Sequence, residues 1–186
     1  MKSLTFLAFL AALLLISCTD TPIDPIKSDN KPVQTLKLPP KAGIAVENYY
    51  SVSKTINGDD GGILKITESY VALDGHTVNI YVKCRIKRNS FSGEENITMT
   101  VSDDIAGVEF FPHMVFSEPA ELDVTFDGID LNLLDSRYGS YDFVYIPDAG
   151  PVELVDYNTI QVEENQSQIF VKKAKLNHFS RYAFAR

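Results

Sequence analysis

Thr77-Val78-Asn79-Ile80-Tyr81-Val82-Lys83-Cys84-Arg85-Ile86-Lys87 decides the fold. Apolar and polar residues alternate along it without a break. Successive side chains of a strand point to opposite faces, so Val78, Ile80, Val82, Cys84 and Ile86 share one face. Thr77, Asn79, Tyr81, Lys83, Arg85 and Lys87 share the other. One dry face and one wet face are the mark of an antiparallel sheet packed on a core from one side.

The same pattern recurs on either side. Glu121-Leu122-Asp123-Val124-Thr125-Phe126 and Asp142-Phe143-Val144-Tyr145-Ile146 alternate in the same way. Gln168–Lys172 is a further strand, joined to Thr159–Glu163 through the polar turn around Asn165. Asn57–Gly62, Asp74-Gly75, Ser92-Gly93 and Asp127-Gly128 separate the runs and supply Asx turns or positive φ. No ten-residue segment keeps a helical period; Asp130–Ser136 allows a single helical turn. Short strands at this spacing predict an all-β sandwich or partly open barrel over residues 43–186.

The chain before residue 43 reads differently. Lys2 precedes an apolar run, Leu4–Ile16, of 13 residues, which is short of the roughly 20 needed to span a bilayer. It ends in Leu15-Ile16-Ser17-Cys18. This order of charge, apolar run and Leu-x-small-Cys resembles the signal peptide of bacterial lipoproteins. The resemblance implies removal of residues 1–17 and a covalent lipid on Cys18, with more than one acyl chain giving stable anchoring. Thr19, not Asp, follows Cys18, which by resemblance to enteric sorting favours the outer membrane. Residues 18–42 carry Pro22, Pro25, Pro32, Pro39 and Pro40 among polar residues, so they read as a semi-extended flexible tether.

Removing a 17-residue signal from 186 residues leaves 169, enough for one domain plus a tail. Loss of Lys2 takes the formal charge from −8 to −9. So acidic a chain gains nothing from a phosphate backbone, and nucleic acid is excluded as an expected partner. No polybasic run addresses anionic headgroups. With Cys18 acylated, Cys84 has no partner within the chain, and its parity makes it a buried structural thiol.

Phe116-Ser117-Glu118-Pro119-Ala120-Glu121-Leu122 and His178-Phe179-Ser180-Arg181-Tyr182-Ala183 together resemble the ZU domain of zonula occludens proteins, netrin receptors and ankyrins. That resemblance runs over about Gly61–Arg186 and implies an immunoglobulin-like antiparallel β-sandwich. The family's proline-then-Gly-Ala turn is replaced by Arg88–Gly93. Independently of any family, Pro119 suits a strand entrance. Phe116, Leu122, Val124 and Phe126 suit a core, as do Phe179, Tyr182 and Phe184. Tyr182 needs a hydroxyl partner at the rim.

Some relatives of this domain cleave themselves at His-Phe-Ser. Carried over, Ser180 is the nucleophile, His178 the base and the Phe179–Ser180 bond the scissile one. The alternative is a packed strand entrance. His76, His113 and His178 show no metal-ligand spacing. Asp123, Asp127, Asp130 and Asp135 offer oxygen to Ca²⁺ but lack the EF-hand spacing, and a solvated face is the simpler reading. There is no nucleophile elbow, P-loop or GxGxxG. No carboxylate pair stands out for glycoside hydrolysis. The chain has no Trp, leaving Tyr49, Tyr50, Tyr138, Tyr141 and Tyr145 as partial stacking surfaces for sugar.

The expectation is therefore a non-enzymatic, lipid-anchored envelope module with no cofactor beyond the lipid. Its partner is an envelope protein or glycan. The contact surface is an exposed edge strand, engaged by β-augmentation, and the region of Tyr138, Tyr141 and Tyr145. Self-cleavage and a glycan- or Ca²⁺-binding surface are the alternatives.

Overall fold

The computed structural model describes residues 33–43, 50–102, 104–132 and 140–186. Two wholly antiparallel sheets pack face to face. The six-stranded sheet runs in the spatial order β1 (Tyr50–Asn57), β4 (Glu94–Val101), β5 (Gly107–Phe111), β11 (Arg181–Ala185), β7 (Asp142–Ile146) and β8 (Glu153–Leu154). The five-stranded sheet runs β2 (Gly62–Val71), β3 (Thr77–Ile86), β6 (Val115–Asp127), β10 (Gln168–His178) and β9 (Thr159–Glu163). Among the described residues there is no α-helix, only a three-residue 3-10 turn at Glu164–Gln166.

The expected alternation is what builds the core. Val78, Ile80, Val82, Cys84 and Ile86 are all buried, opposite Leu122, Val124 and Phe126 of β6. Phe110, Phe143 and Phe184 close the other side. Phe110 stacks on Phe179 at 4.3 Å between ring centroids, and Phe116 meets Phe179 edge-on at 4.6 Å. Each such ring contributes roughly 1.5–3 kcal/mol through burial alone.

The turns behave as their residues demand. Asn57 Oδ1 accepts from the Asp59 N–H at 2.9 Å, an Asx turn that feeds β1 into β2. At Gly128 φ is +77°, and a Cβ there would lie 2.3 Å from the Thr77 carbonyl oxygen.

Two expectations need correction. The first is the boundary at residue 43: the folded unit begins at Pro32. Leu36 and Leu38 are buried, while Lys37 between them is exposed. Gln34 and Arg186 exchange backbone hydrogen bonds of 3.1 and 2.9 Å, and the Leu36 N–H donates to Phe184 O at 2.9 Å. The segment then crosses to the other sheet, where the Leu73 N–H donates to Pro40 O at 2.9 Å. It straps both sheets together because β11 leaves its last residues unpaired by β5.

The second is Pro119, which lies inside β6 rather than at its entrance. Pairing with β3 stops at Glu121, and pairing with β10 jumps from Ala120 to Val115. The proline therefore occupies an irregularity where neither ladder asks it for an N–H. Cys18, the signal, most of the expected tether, Tyr49, Tyr138 and Asp135 lie outside the described residues.

Candidate functional site

His178, Phe179 and Ser180 form the step by which the chain leaves β10 and enters β11, changing sheets. The step is held at every residue. Phe179 N–H donates to Met114 O at 2.7 Å, and Ser180 O accepts from the Phe110 N–H at 3.0 Å. Phe179 and Ser180 are buried. The Tyr182 hydroxyl donates to His178 O at 2.6 Å and lies 3.2 Å from His178 Nδ1. The imidazole packs edge-on against Tyr145 at 4.5 Å. Among the described residues no hydrogen bond joins His178 to the Ser180 hydroxyl, so the base–nucleophile contact that acyl transfer requires is not made here.

Of the three expected contact tyrosines, Tyr145 is half-buried and faces a groove of about 210 Å³. Glu153, Leu154, Lys175, Asn177 and His178 share that groove. Tyr141 does not belong to a contact surface: it is buried, its hydroxyl donates to Leu131 O, and the Arg186 guanidinium sits 4.5 Å over its ring. Desolvation pushes its phenol upward. Burial likewise raises Tyr182 and holds the Cys84 thiol protonated, so Cys84 is the inert core residue expected.

The groove flanks an open edge. β8 has two residues and pairs only with Val144 and Tyr145. Leu154 is 77 % exposed on it. In the second sheet β9 is the end strand. At the far side of the sandwich, by contrast, β1 runs straight into β2 through the turn at Asn57–Gly62.

The two outer faces differ in chemistry. On the six-stranded sheet, Ser51 bonds Thr100 at 3.0 Å and Ser53 bonds Thr98 at 2.7 Å, a self-satisfied hydroxyl ladder. On the five-stranded sheet the polar faces of β2, β3 and β10 carry cations. Register aligns Lys65 with Lys83, and places Glu121 between Arg85 and Lys175. The sequence shows the cations of β3 on one face, but only the strand order brings those of β2 and β10 beside them.

Ser117, part of the Phe116–Leu122 phrase, has a role that the strand period does not reveal. Its hydroxyl donates to Asn89 O at 2.7 Å and to Ser90 O at 3.0 Å, tying the start of β6 to the loop after β3. Among the described residues no cluster of His, Cys, Asp or Glu gathers as metal ligands. No described helix is long and apolar enough to cross a membrane. Comparison with protein-family models, curated proteins and solved structures gave no match.

Proposed function

We propose that this chain is a lipid-anchored protein of the cell envelope, held by an acylated Cys18 in the outer membrane, whose ZU-like sandwich is a non-enzymatic binding module. The observation that carries the binding role is the β8 edge. A two-residue strand leaves most of its outer backbone without a ladder partner, next to exposed Leu154 and the Tyr145 groove. An extended partner segment gains backbone hydrogen bonds there and a pocket for one side chain. The packed, hydrogen-bonded step at Phe179–Ser180 supports a structural role for the His-Phe-Ser motif.

Three measurements test this. Labelled palmitate enters the wild type and not Cys18→Ser, and Cys18→Ser leaves the membrane fraction. A photocrosslinking residue at Leu154 captures one discrete partner in intact cells, whereas the same residue at Ser53 does not. Equal capture at both sites, or none, defeats the edge as the contact. Intact mass settles the rival: loss of Ser180–Arg186 from the wild type, blocked by Ser180→Ala, replaces binding by self-processing.

A further inference from the structure

We infer that the outer face of the five-stranded sheet is a second binding site, separate from the β8 edge, for an acidic oligosaccharide whose sugar rings carry carboxylates. The chain as a whole is acidic, yet this face is not. β3 contributes Lys83 and Arg85 on its polar side, and Lys87 follows directly after its last residue. β2 adds Lys65, and the irregular stretch of β10 adds Lys172, Lys173 and Lys175. Against these seven cations the same part of β6 sets two carboxylates, Asp123 and Glu121. Both are already engaged. Asp123 accepts from the Lys173 backbone N–H at 3.0 Å, where φ is +53°, and Glu121 pairs with Lys87 at 3.4 Å. Among the described residues the other six cations make no ion pair. Like charges held this close on a rigid sheet favour a bound anion.

The neighbouring rows say what kind of anion. Tyr81 and Phe170 stand one strand apart, either side of Thr125. Lys172 Nζ lies 5.6 Å from the Tyr81 ring and 5.5 Å from the Phe170 ring, and Lys65 Nζ lies 5.2 Å from Tyr81. Next to them is an open cleft of about 380 Å³, lined by hydroxyls, amides and carboxylates: Thr67, Ser69, Asn79, Asp127 and Gln168. Such groups suit neutral hydroxyls that both donate and accept. An aromatic body suits the C–H face of a pyranose. One row further along the strands, Lys65 and Lys83 meet a carboxylate on the same chain of sugars.

Phosphate polymers fit less well. Asp127 and Glu68 line the cleft and accept hydrogen bonds from sugar hydroxyls, donors that a phosphate line does not offer. A flat anionic membrane leaves the cleft unfilled.

The test uses the full chain in neutral phosphatidylcholine vesicles, titrated calorimetrically with a galacturonate hexamer, its methyl ester, single-stranded DNA and phosphatidylglycerol vesicles. The hexamer binds, the ester binds at least ~10-fold more weakly, and affinity falls with salt. Lys65→Gln with Lys172→Gln costs ~10-fold or more, in line with lost charge-assisted hydrogen bonds, and Tyr81→Ala a similar factor. Thermal melts verify that both variants fold, and Lys54→Gln, off this face, binds as the wild type does. No hexamer binding, equal loss with Lys54→Gln, or tighter binding of DNA or anionic vesicles overturns the inference. Loss of crosslinking at Leu154 does not, since those residues are distinct.

Discussion

The Tyr182 hydroxyl donates a 2.6 Å hydrogen bond to the carbonyl oxygen of His178, four residues back along the chain. The bond spans the step where the chain changes sheets. It closes the step like the tyrosine corner of immunoglobulin-type sandwiches, in which a tyrosine returns to the backbone a few residues upstream. Tyr182 is buried between Phe110 and Phe143, and the carbonyl it reaches is part-buried.

Tyr182→Phe keeps the ring and removes the bond. The expected loss is about 0.5–1.5 kcal/mol, the usual net contribution of a hydrogen bond to a part-buried acceptor. Urea unfolding reads it as a lower midpoint at unchanged slope. An unchanged midpoint shows that the corner is held by ring packing alone.

The strap at the other end of β11 makes a different prediction. Leu36 is completely buried, whereas Lys37 is exposed and its ion pair with Asp104, at 4.0 Å, lies at the surface. Leu36→Ala is expected to cost roughly 2–5 kcal/mol, through lost burial and the cavity left behind. Lys37→Ala is expected to change stability by less than about 0.5 kcal/mol. A chain shortened to begin at residue 43 loses Leu36, Leu38 and the Gln34–Arg186 pairing together, and should melt well below one that begins at Lys31. Equal melting temperatures for the two lengths refute a structural strap.

These features mark where the sequence was legible. Along Thr77–Lys87 the local period alone sorts the faces, so β3 and its buried Cys84 were readable without knowing the neighbours. Leu36-Lys37-Leu38 has the same period but only three residues of it, before Pro39-Pro40, and proline outweighs so short an alternation. Its burial depends on β11, nearly 150 residues away. Pro119 reads as a strand entrance because ladders normally demand an N–H. Only the actual register shows both ladders stepping aside. Tyr141 could not be told from Tyr145, since the two share one parity of the alternating run and differ only in which packed partner reaches them. The cations of β2, β3 and β10 become one surface only after three long-range pairings.

His76 gives the fold a pH-sensitive clasp. Its Nε2 faces the Gly128 carbonyl at 2.7 Å and its Nδ1 contacts the Asp74 carboxylate, so both ring nitrogens meet acceptors. The Gly128 bond is the main cause that raises His76 above its ordinary 6.5, with partial burial opposing and Asp74 assisting. Asp74 is lowered from 3.8, chiefly by the His76 backbone N–H. A raised histidine stabilises the fold fully below its unfolded value, and the gain is lost as pH rises through the folded value. The lowered carboxylate acts in the opposite sense: its gain is present above 3.8 and lost as pH falls through the folded value. The clasp is thus complete between about pH 4 and pH 6.5. Melting temperature should fall slightly from about pH 6 to about pH 8 in the wild type, a small effect because the pair is solvent-exposed. His76→Gln should flatten that fall. A nuclear magnetic resonance titration of the His76 ring checks the cause directly. A midpoint at or below 6.5, or identical pH profiles for the two proteins, rules the clasp out.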